Sequence, residues 1–598
     1  MTEPNDGPKL ADFKVHFGDA DASASERRPL RVCVAAAFGA SAEVSTRSAP
    51  EDRVMALDAD NFDFVFERFG PAFAIELDDP VDASAPRIKA FLRWSKLASL
   101  RPSEIVQAVP ELCGLLEAHR VLERTGTGGS DVAANLRRVL PRSHWVEAVL
   151  EPLARPATPA KAAARSAAPA ATVAEERAPD SLSPLFDMVA AGEEPARATA
   201  AERNTSALVN RLAGISAGRS MSQGSGVEAA RAVVRQLFSR LLSALLEHPE
   251  VKRLEGLWRG LKMLLGAGSR SKDVQLFVAW LDANEELLDE ILGQDFDLLC
   301  LDREVDASAN GLDSLERIAA LGAEYHTPVL LNAVPGLLGL DRWNALNALQ
   351  HKLLLVDHPA LSALQLRAAR PVTRWVALTG NPLRIRAPHD AATSRLKEMG
   401  FEQPKSDAAF VLMPATFGLA GAVMRSVARE GHPFAFTGPD RGALSDLEVH
   451  HVEALDAAIA TGDLVGSDAQ DAAAEVGVAL WAPIKNRAVA VLASAPLLFR
   501  GEEAARGATP KARHALSEAL FLSRLTRVLR ETKRRFQDLP DAAYAERLRV
   551  ALLELFPNAA PPGPTLDVKI AGKTLTVTVD PRRYGTLQVP ELSLEIAR

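Results

Sequence analysis

The chain has 598 residues, enough for roughly two to four domains with cores of their own. It is 47% hydrophobic and 24% charged, an ordinary globular balance, and its formal net charge of -8 argues against nucleic acid as a partner. Three cysteines, Cys33, Cys113 and Cys300, lie far apart, which argues against a disulfide framework or a zinc site. The start, MTEPNDGPKL, is polar, and the longest apolar stretch, AVAVLASAPLLF from Ala488, is short for a bilayer and contains a proline. A soluble cytoplasmic protein without direct membrane insertion is expected.

In FKVHFGD, Phe13, Val15 and Phe17 alternate onto one face of a short strand. LRVCVAAAF (30–38) reads as a buried strand. LDADNFDFVFERFG reads as a helix capped by Asp58 or Asp60, with Phe62, Val65, Phe66 and Phe69 inward and Gly70 ending it. PAFAIEL and RIKAFLRW read as strands. The run from Arg101 to Gly126 reads as helix, with Pro102 at its first position and Pro110 forcing a kink or break. These elements suggest one small α/β unit over 1–153.

Residues 154–225 are rich in Ala and Pro and poor in large apolar side chains, so they cannot offset their ordering entropy and read as linker. Within them SLSPLFDMVAAGE (181–193) sets Leu182, Leu185, Phe186 and Val189 at helical spacing. A helix then runs from Val227 to Leu246. HPEVKRLEGLWRGLKMLL opens a second helix at Pro249, with an apolar stripe of Val251, Leu254, Leu257, Trp258, Leu261, Leu264 and Leu265. Trp258-Arg259-Gly260 interrupts it, and Gly256 and Gly260 each cost helix stability, which points to close packing against a neighbour.

From Ser271 the pattern alternates strand VQLFVAWL, a helix from Asn284, strand FDLLCL, a helix from Leu312 and strand PVLLNAV, a sheet with crossover helices. Similar chain continues to about Phe499, giving a core over 226–510. A basic-faced helix over 511–537 and another over 541–555 lead to the strands TLDVKI, TLTVTVD and TLQVPELSLEI, a C-terminal part over 511–598. The fold class expected is mixed α/β.

Chemistry is sparse. AGKTL (571–575) lacks the upstream glycine of a phosphate loop and sits in a hairpin. His450 and His451 are adjacent and therefore diverge. GISAG (214–218) fits Gly-x-Ser-x-Gly at Ser216, but polar chain precedes it where a nucleophile elbow needs a strand. The run RETKRRFQ reads as an exposed face or a surface for an acidic protein. No catalytic, cofactor or metal residues are assigned. An enzyme hosted by the middle α/β region remains a remote alternative.

LSALLEHPEVKRLEGLWRGLKMLL strongly resembles the large contractile-sheath subunit of bacterial type VI secretion systems, matching its motif at Pro249, Leu254, Glu255, Trp258, Arg259, Gly260 and Leu261. GHPFAFTGPDRGALSDLEVH and VTVDPRRYGTLQVPELSLEI are similar to later stretches of that family. LDADNFDFVFERF resembles the Asp-x-x-Asn-Phe helix start of the small sheath subunit, and SLRPSEIVQAVPELCGLLEAHRVL resembles its Gln-Val-Pro run at Pro102, Gln107, Val109, Pro110, Leu112 and Leu115. The chain therefore looks like both subunits fused, small before large. It departs at 302–312, DREVDASANGL, which lacks the glycines of the large subunit's Glu-Tyr-Gly segment.

The resemblance implies a structural protomer that forms a helical homo-oligomer around an inner tube of ring proteins. On a signal from the baseplate this sheath contracts and drives the tube out. It implies exchanged terminal strands, with Phe13, Val15 and Phe17 completing a sheet with Val568, Ile570, Leu575, Val577 and Val579 of other copies. It implies a helix at 181–193 for an ATP-driven ring unfoldase. Arg527, Arg530, Lys533 and Arg534 are candidate weak contacts to the inner tube. The sheath of a phage-tail-like or extracellular contractile injection particle is the alternative.

Overall fold

The computed structural model describes residues 28–39, 53–125, 132–154, 226–268, 272–281, 287–348, 361–392, 395–501, 514–556, 564–571, 574–580 and 592–597. The strand expected at 13–19 and the helix expected at 181–193, with Phe13, Val15, Phe17, Leu182, Leu185, Phe186 and Val189, lie outside the described residues.

The first elements are β1 (Leu30–Ala36), β2 (Val54–Leu57), α1 (Phe62–Phe69), β3 (Ala72–Leu77), β4 (Ile88–Arg93), α2 (Pro102–Ala108), α3 (Pro110–Thr125), α4 (Val132–Val139) and α5 (Ser143–Ala154). Then come α6 (Gly226–Leu246), α7 (Pro249–Gly268), β5 (Val274–Trp280), α8 (Leu287–Leu292), β6 (Leu298–Val305), α9 (Ala309–Tyr325), β7 (Val329–Ala333), α10 (Ser362–Ala368), β8 (Val376–Gly380), β9 (Leu383–Arg386), β10 (Val411–Met413) and α11 (Ala415–Glu430). The rest are β11 (Ala443–Leu444), β12 (His450–Val452), β13 (Ala457–Ile459), α12 (Ser467–Glu475), β14 (Val478–Pro483), β15 (Ala490–Leu492), α13 (Leu516–Phe536), α14 (Asp541–Leu553), β16 (Thr565–Ala571), β17 (Thr574–Asp580) and β18 (Leu592–Ala597).

Nine strands form one sheet in the order β11-β15-β14-β8-β7-β6-β1-β5-β2. The six from β14 to β5 run parallel. β1 lies between β5 and β6, with Val34 opposite both Val278 and Cys300. β1 and β2 of the unit read over 1–153 therefore pair with strands of the later chain, not with β3 and β4. A strand as apolar as LRVCVAA must be covered on both faces, and the cover is supplied by the later chain. Val32, Val34 and Ala36 enter one core layer with α1, α7 and α11; Cys33 and Ala35 enter the other with α8, α9, α10 and α12.

Local reasons for the elements are plain. α1 ends at Gly70, whose φ of 45° is left-handed. Neither Asp58 nor Asp60 caps it: Asp58 Oδ1 accepts from the Asp60 and Asn61 backbone N–H groups, closing the turn before the helix. Val109 is extended between α2 and α3, which fits a break before Pro110. β3 and β4 pair as a hairpin with Phe73, Ile75 and Leu77 buried beside Ile88, Ala90 and Leu92.

α7 runs unbroken from Pro249 to Gly268, which corrects the expected interruption at Trp258-Arg259-Gly260. Tertiary contact outweighs the glycine cost. A Cβ on Gly256 would stand 2.2 Å from the Leu412 carbonyl oxygen, and one on Gly260 would stand 2.7 Å from the Phe417 ring. These two positions let α7 lie directly on β10 and α11.

At the C-terminus β16, β17 and β18 form a separate antiparallel sheet, with Val568 opposite Val577 and Val577 opposite Leu594. α14 packs against β16. Among the described residues, no helix is long and apolar enough to cross a membrane.

Candidate assembly site

Trp258 joins two distant parts of the chain. Its ring lies 4.1 Å from Phe66, 5.1 Å from Phe38, 6.0 Å from Phe62 and 6.3 Å from Phe69, measured between centroids. Its Nε1–H donates to the Phe38 carbonyl at 3.1 Å, so the polar edge of a fully buried indole is satisfied. The four phenylalanines belong to β1's exit and to α1.

One turn earlier, Glu255 is also buried. Arg259 Nε donates to its Oε1 at 2.6 Å and Arg386 Nε at 2.8 Å. Burial opposes the negative charge, but Arg386 and Arg259 overcome it and hold the carboxyl below its ordinary value. With Leu254 fully buried and Gly260 against Phe417, the whole motif is packing.

The basic helix departs from expectation. Arg527 is buried: Nε and Nη2 each donate to Asp297 at 2.9 Å, and Nη2 donates to the Pro29 carbonyl at 2.8 Å. Burial opposes its charge, yet Asp297 and Glu531 hold its pKa above the ordinary value. Arg530 Nη1 donates to Asp295 at 3.0 Å, and Arg534 pairs with the same carboxylate. Arg527, Arg530 and Arg534 are therefore not an open face toward an inner tube. They neutralise carboxylates just before β6, which a one-dimensional charge pattern cannot show. Lys533 is half-buried on the same helix.

A cavity of about 790 Å³ opens at the carboxyl ends of β6, β7 and β8, where open α/β sheets usually hold ligands. Asp302, Glu304, Asp306, Arg253, Asn332 and Asn381 line it. The nearby start of α9 is already satisfied from within. Asp306 Oδ1 accepts from the Ser308 N–H and hydroxyl, and Ser308 Oγ accepts from the Gly311 N–H. A phosphate would find that position occupied by a carboxylate. Burial pushes Asp302 up to about 6, with Arg253 opposing and Glu304 adding.

Val568 and Ile570 are half-buried; Leu575, Val577 and Val579 are buried in the C-terminal sheet of their own chain. The AGKTL stretch runs from the end of β16 to the start of β17, strand to strand, unlike a phosphate loop. His450 and His451 lie on β12, and among the described residues no group of three metal-ligating side chains forms. Ser216 lies outside the described residues. The sequence reading missed Asp295, Asp297, Arg386 and Arg28 as partners, since pairs more than 130 positions apart leave no local signal.

Comparison with known families covers α1 on one side of this joint and the sheet strands that follow α7 on the other. Residues 11–151 match the family described as "Type VI secretion system, VipA, VC_A0107 or Hcp2". Residues 284–496 match VipB, described as "EvpB/VC_A0108, tail sheath N-terminal domain". The chain fuses the two type VI sheath domains. The second match spans 302–312, so the missing glycines there do not place that stretch outside the family. Both families are structural rather than enzymatic, and the fused sheath chain is read accordingly. No curated protein matches it. Among solved structures, the contracted helical sheath of the anti-feeding prophage is 13% identical, covering 56% of this chain and 79% of that one at a TM-score of 0.30. The baseplate of the same particle, 6-fold symmetrised, is 12% identical, covering 56% and 77% at 0.29.

Proposed function

We propose that the fused sheath chain is a structural protomer of a contractile helical sheath. It polymerises with copies of itself in the cytoplasm around an inner tube of ring proteins, starting from a baseplate. Contraction of that polymer drives the tube outward. Nucleic acid, cofactors and membrane insertion have no part in this reading. The observation that carries it is the presence of both sheath domains on one polypeptide.

Neighbouring protomers are tied by exchanged strands. β16 and β18 present outer edges that no described strand covers, and β-strand addition is the ordinary fate of such an edge. The segment at Phe13, Val15 and Phe17 supplies the added strand. A six-residue strand spans roughly 20 Å, and about ten residues of coil reach roughly a further 17 Å, enough to cross to another copy. After contraction, an ATP-driven ring unfoldase grips Leu182, Leu185, Phe186 and Val189.

Electron microscopy of the overexpressed chain tests the reading. Tubes are expected from the full chain, and deletion of residues 1–20 should leave a folded protomer that no longer builds them. Normal tubes from the truncated chain would reject strand exchange, and failure of the full chain to polymerise with its inner tube would reject the sheath assignment. Deleting 181–193 should spare assembly and slow disassembly of contracted tubes by the cognate unfoldase.

A further inference from the structure

We propose that Arg28 is a positioning residue that holds the roots of both assembly arms, the N-terminal strand and the C-terminal sheet, at one fixed offset. The inference rests on the exchanged-strand reading and names the residue that sets its geometry.

Arg28 stands where the N-terminal arm meets β1. Its Nη1 donates to Glu554 at 2.6 Å and to the Ala551 carbonyl at 3.3 Å, and its Nε donates to Glu531 at 3.0 Å. Ala551 and Glu554 form the end of α14, the helix against which β16 packs and from which the chain runs into the C-terminal sheet. One guanidinium thus touches the last turn before the C-terminal arm while its own backbone begins the N-terminal one.

The entry of β1 is secured without this side chain. Arg524 donates to the Arg28 carbonyl at 3.1 Å, Arg527 to the Pro29 carbonyl at 2.8 Å, and the Arg31 N–H donates to Asp297 at 2.8 Å. The sheet is therefore pinned by backbone groups and by α13, while the Arg28 side chain spends its donors on α13 and α14. Its pair with Glu554, a residue nearly half exposed, adds little to core stability. What it fixes is direction. A protomer that gives a strand from one arm and offers a sheet on the other must keep the two at a constant separation. Otherwise the strand given and the edge received fall out of step around the helix.

The test uses the full chain carrying Arg28→Gln, Glu554→Gln or both, with Glu546→Gln as control; Glu546 is exposed on the same helix and pairs only locally with Arg549. Arg28→Gln and Glu554→Gln should each leave the protomer's melting temperature near that of the parent and raise the critical concentration for tubes by about tenfold. That is the cost of lowering an arm's effective concentration. The double variant should be no worse than the singles, because both remove one interaction. Spin labels at Glu67→Cys on α1 and Thr565→Cys on β16, both exposed, in a Cys113→Ser background, should give a distance distribution that broadens in Arg28→Gln, a change that simple destabilisation would not produce. If Arg28→Gln impairs folding, Glu554→Gln carries the test. Tubes at the parental concentration in Glu554→Gln, with residues 1–20 still essential, would overturn the role of Arg28 and leave strand exchange standing. Tubes that ignore the loss of residues 1–20 would overturn strand exchange itself.

Discussion

In the nine-stranded sheet, β1 apart from Arg31 and the first four residues of β6 are apolar on both faces and lie under helices on either side, and the sheet ends in edge strands of only four residues (β2) and two residues (β11). In the C-terminal sheet, β17 alternates Leu575, Val577 and Val579 with threonines, and the sheet ends in strands of seven residues (β16) and six (β18). Short edges discourage pairing with another chain and long ones invite it. Among the described residues the large sheet thus ends in short edges and the small one in long edges. Under the proposed function, the fused core is the rigid part and the termini carry assembly.

Arg527→Met should have the largest effect. It leaves Asp297 buried without its bidentate partner and should cost about 3–5 kcal/mol, read as a fall in the urea midpoint. An unchanged midpoint would mean the large sheet does not depend on its ionic clamp. Trp258→Ala should cost a similar ~3–5 kcal/mol through the cavity among four phenylalanines, and it strips the Phe38 carbonyl of its donor. Limited proteolysis should then release fragments of the first sheath domain that the parent protects.

Val577→Ala sharpens the contrast from the other side. It removes buried apolar surface from the small sheet at a cost of about 2 kcal/mol, and tube yield should fall further than protomer stability does. Equal losses in both measurements would remove the distinction between the sheets. The smallest effect concerns Asp302. Its carboxyl is raised to about 6 against an ordinary 3.8, so the folded chain holds that proton more tightly than the unfolded one. The ionised group therefore opposes folding above pH 6, and the penalty fades as pH falls from 6 toward 4. Asp302→Asn should stabilise the protomer at pH 8 and match the parent near pH 4 in thermal melts.

Much of this was legible in one dimension. Spacing located α1, the hairpin strands, the break at Pro110, the strands at 274–281 and 328–334, and the alternating C-terminal strands, because each follows from its own residues and their immediate neighbours. The dense motif around Trp258 marked the packing centre and pointed to the sheath families. Which sheet would receive LRVCVAA was not legible. An apolar run states only that both faces need cover, and β5 and β6, more than two hundred positions later, supply the hydrogen bonds. The same holds for RETKRRFQ. Charge along a helix does not reveal whether a carboxylate waits opposite, and Asp295 and Asp297 turned a predicted surface inward. Sequence by itself determined the periodic elements and the family, since these rest on local spacing. Tertiary structure decided that the two sheath domains share one core, because burial and long-range pairing depend on which distant segments the fold brings together.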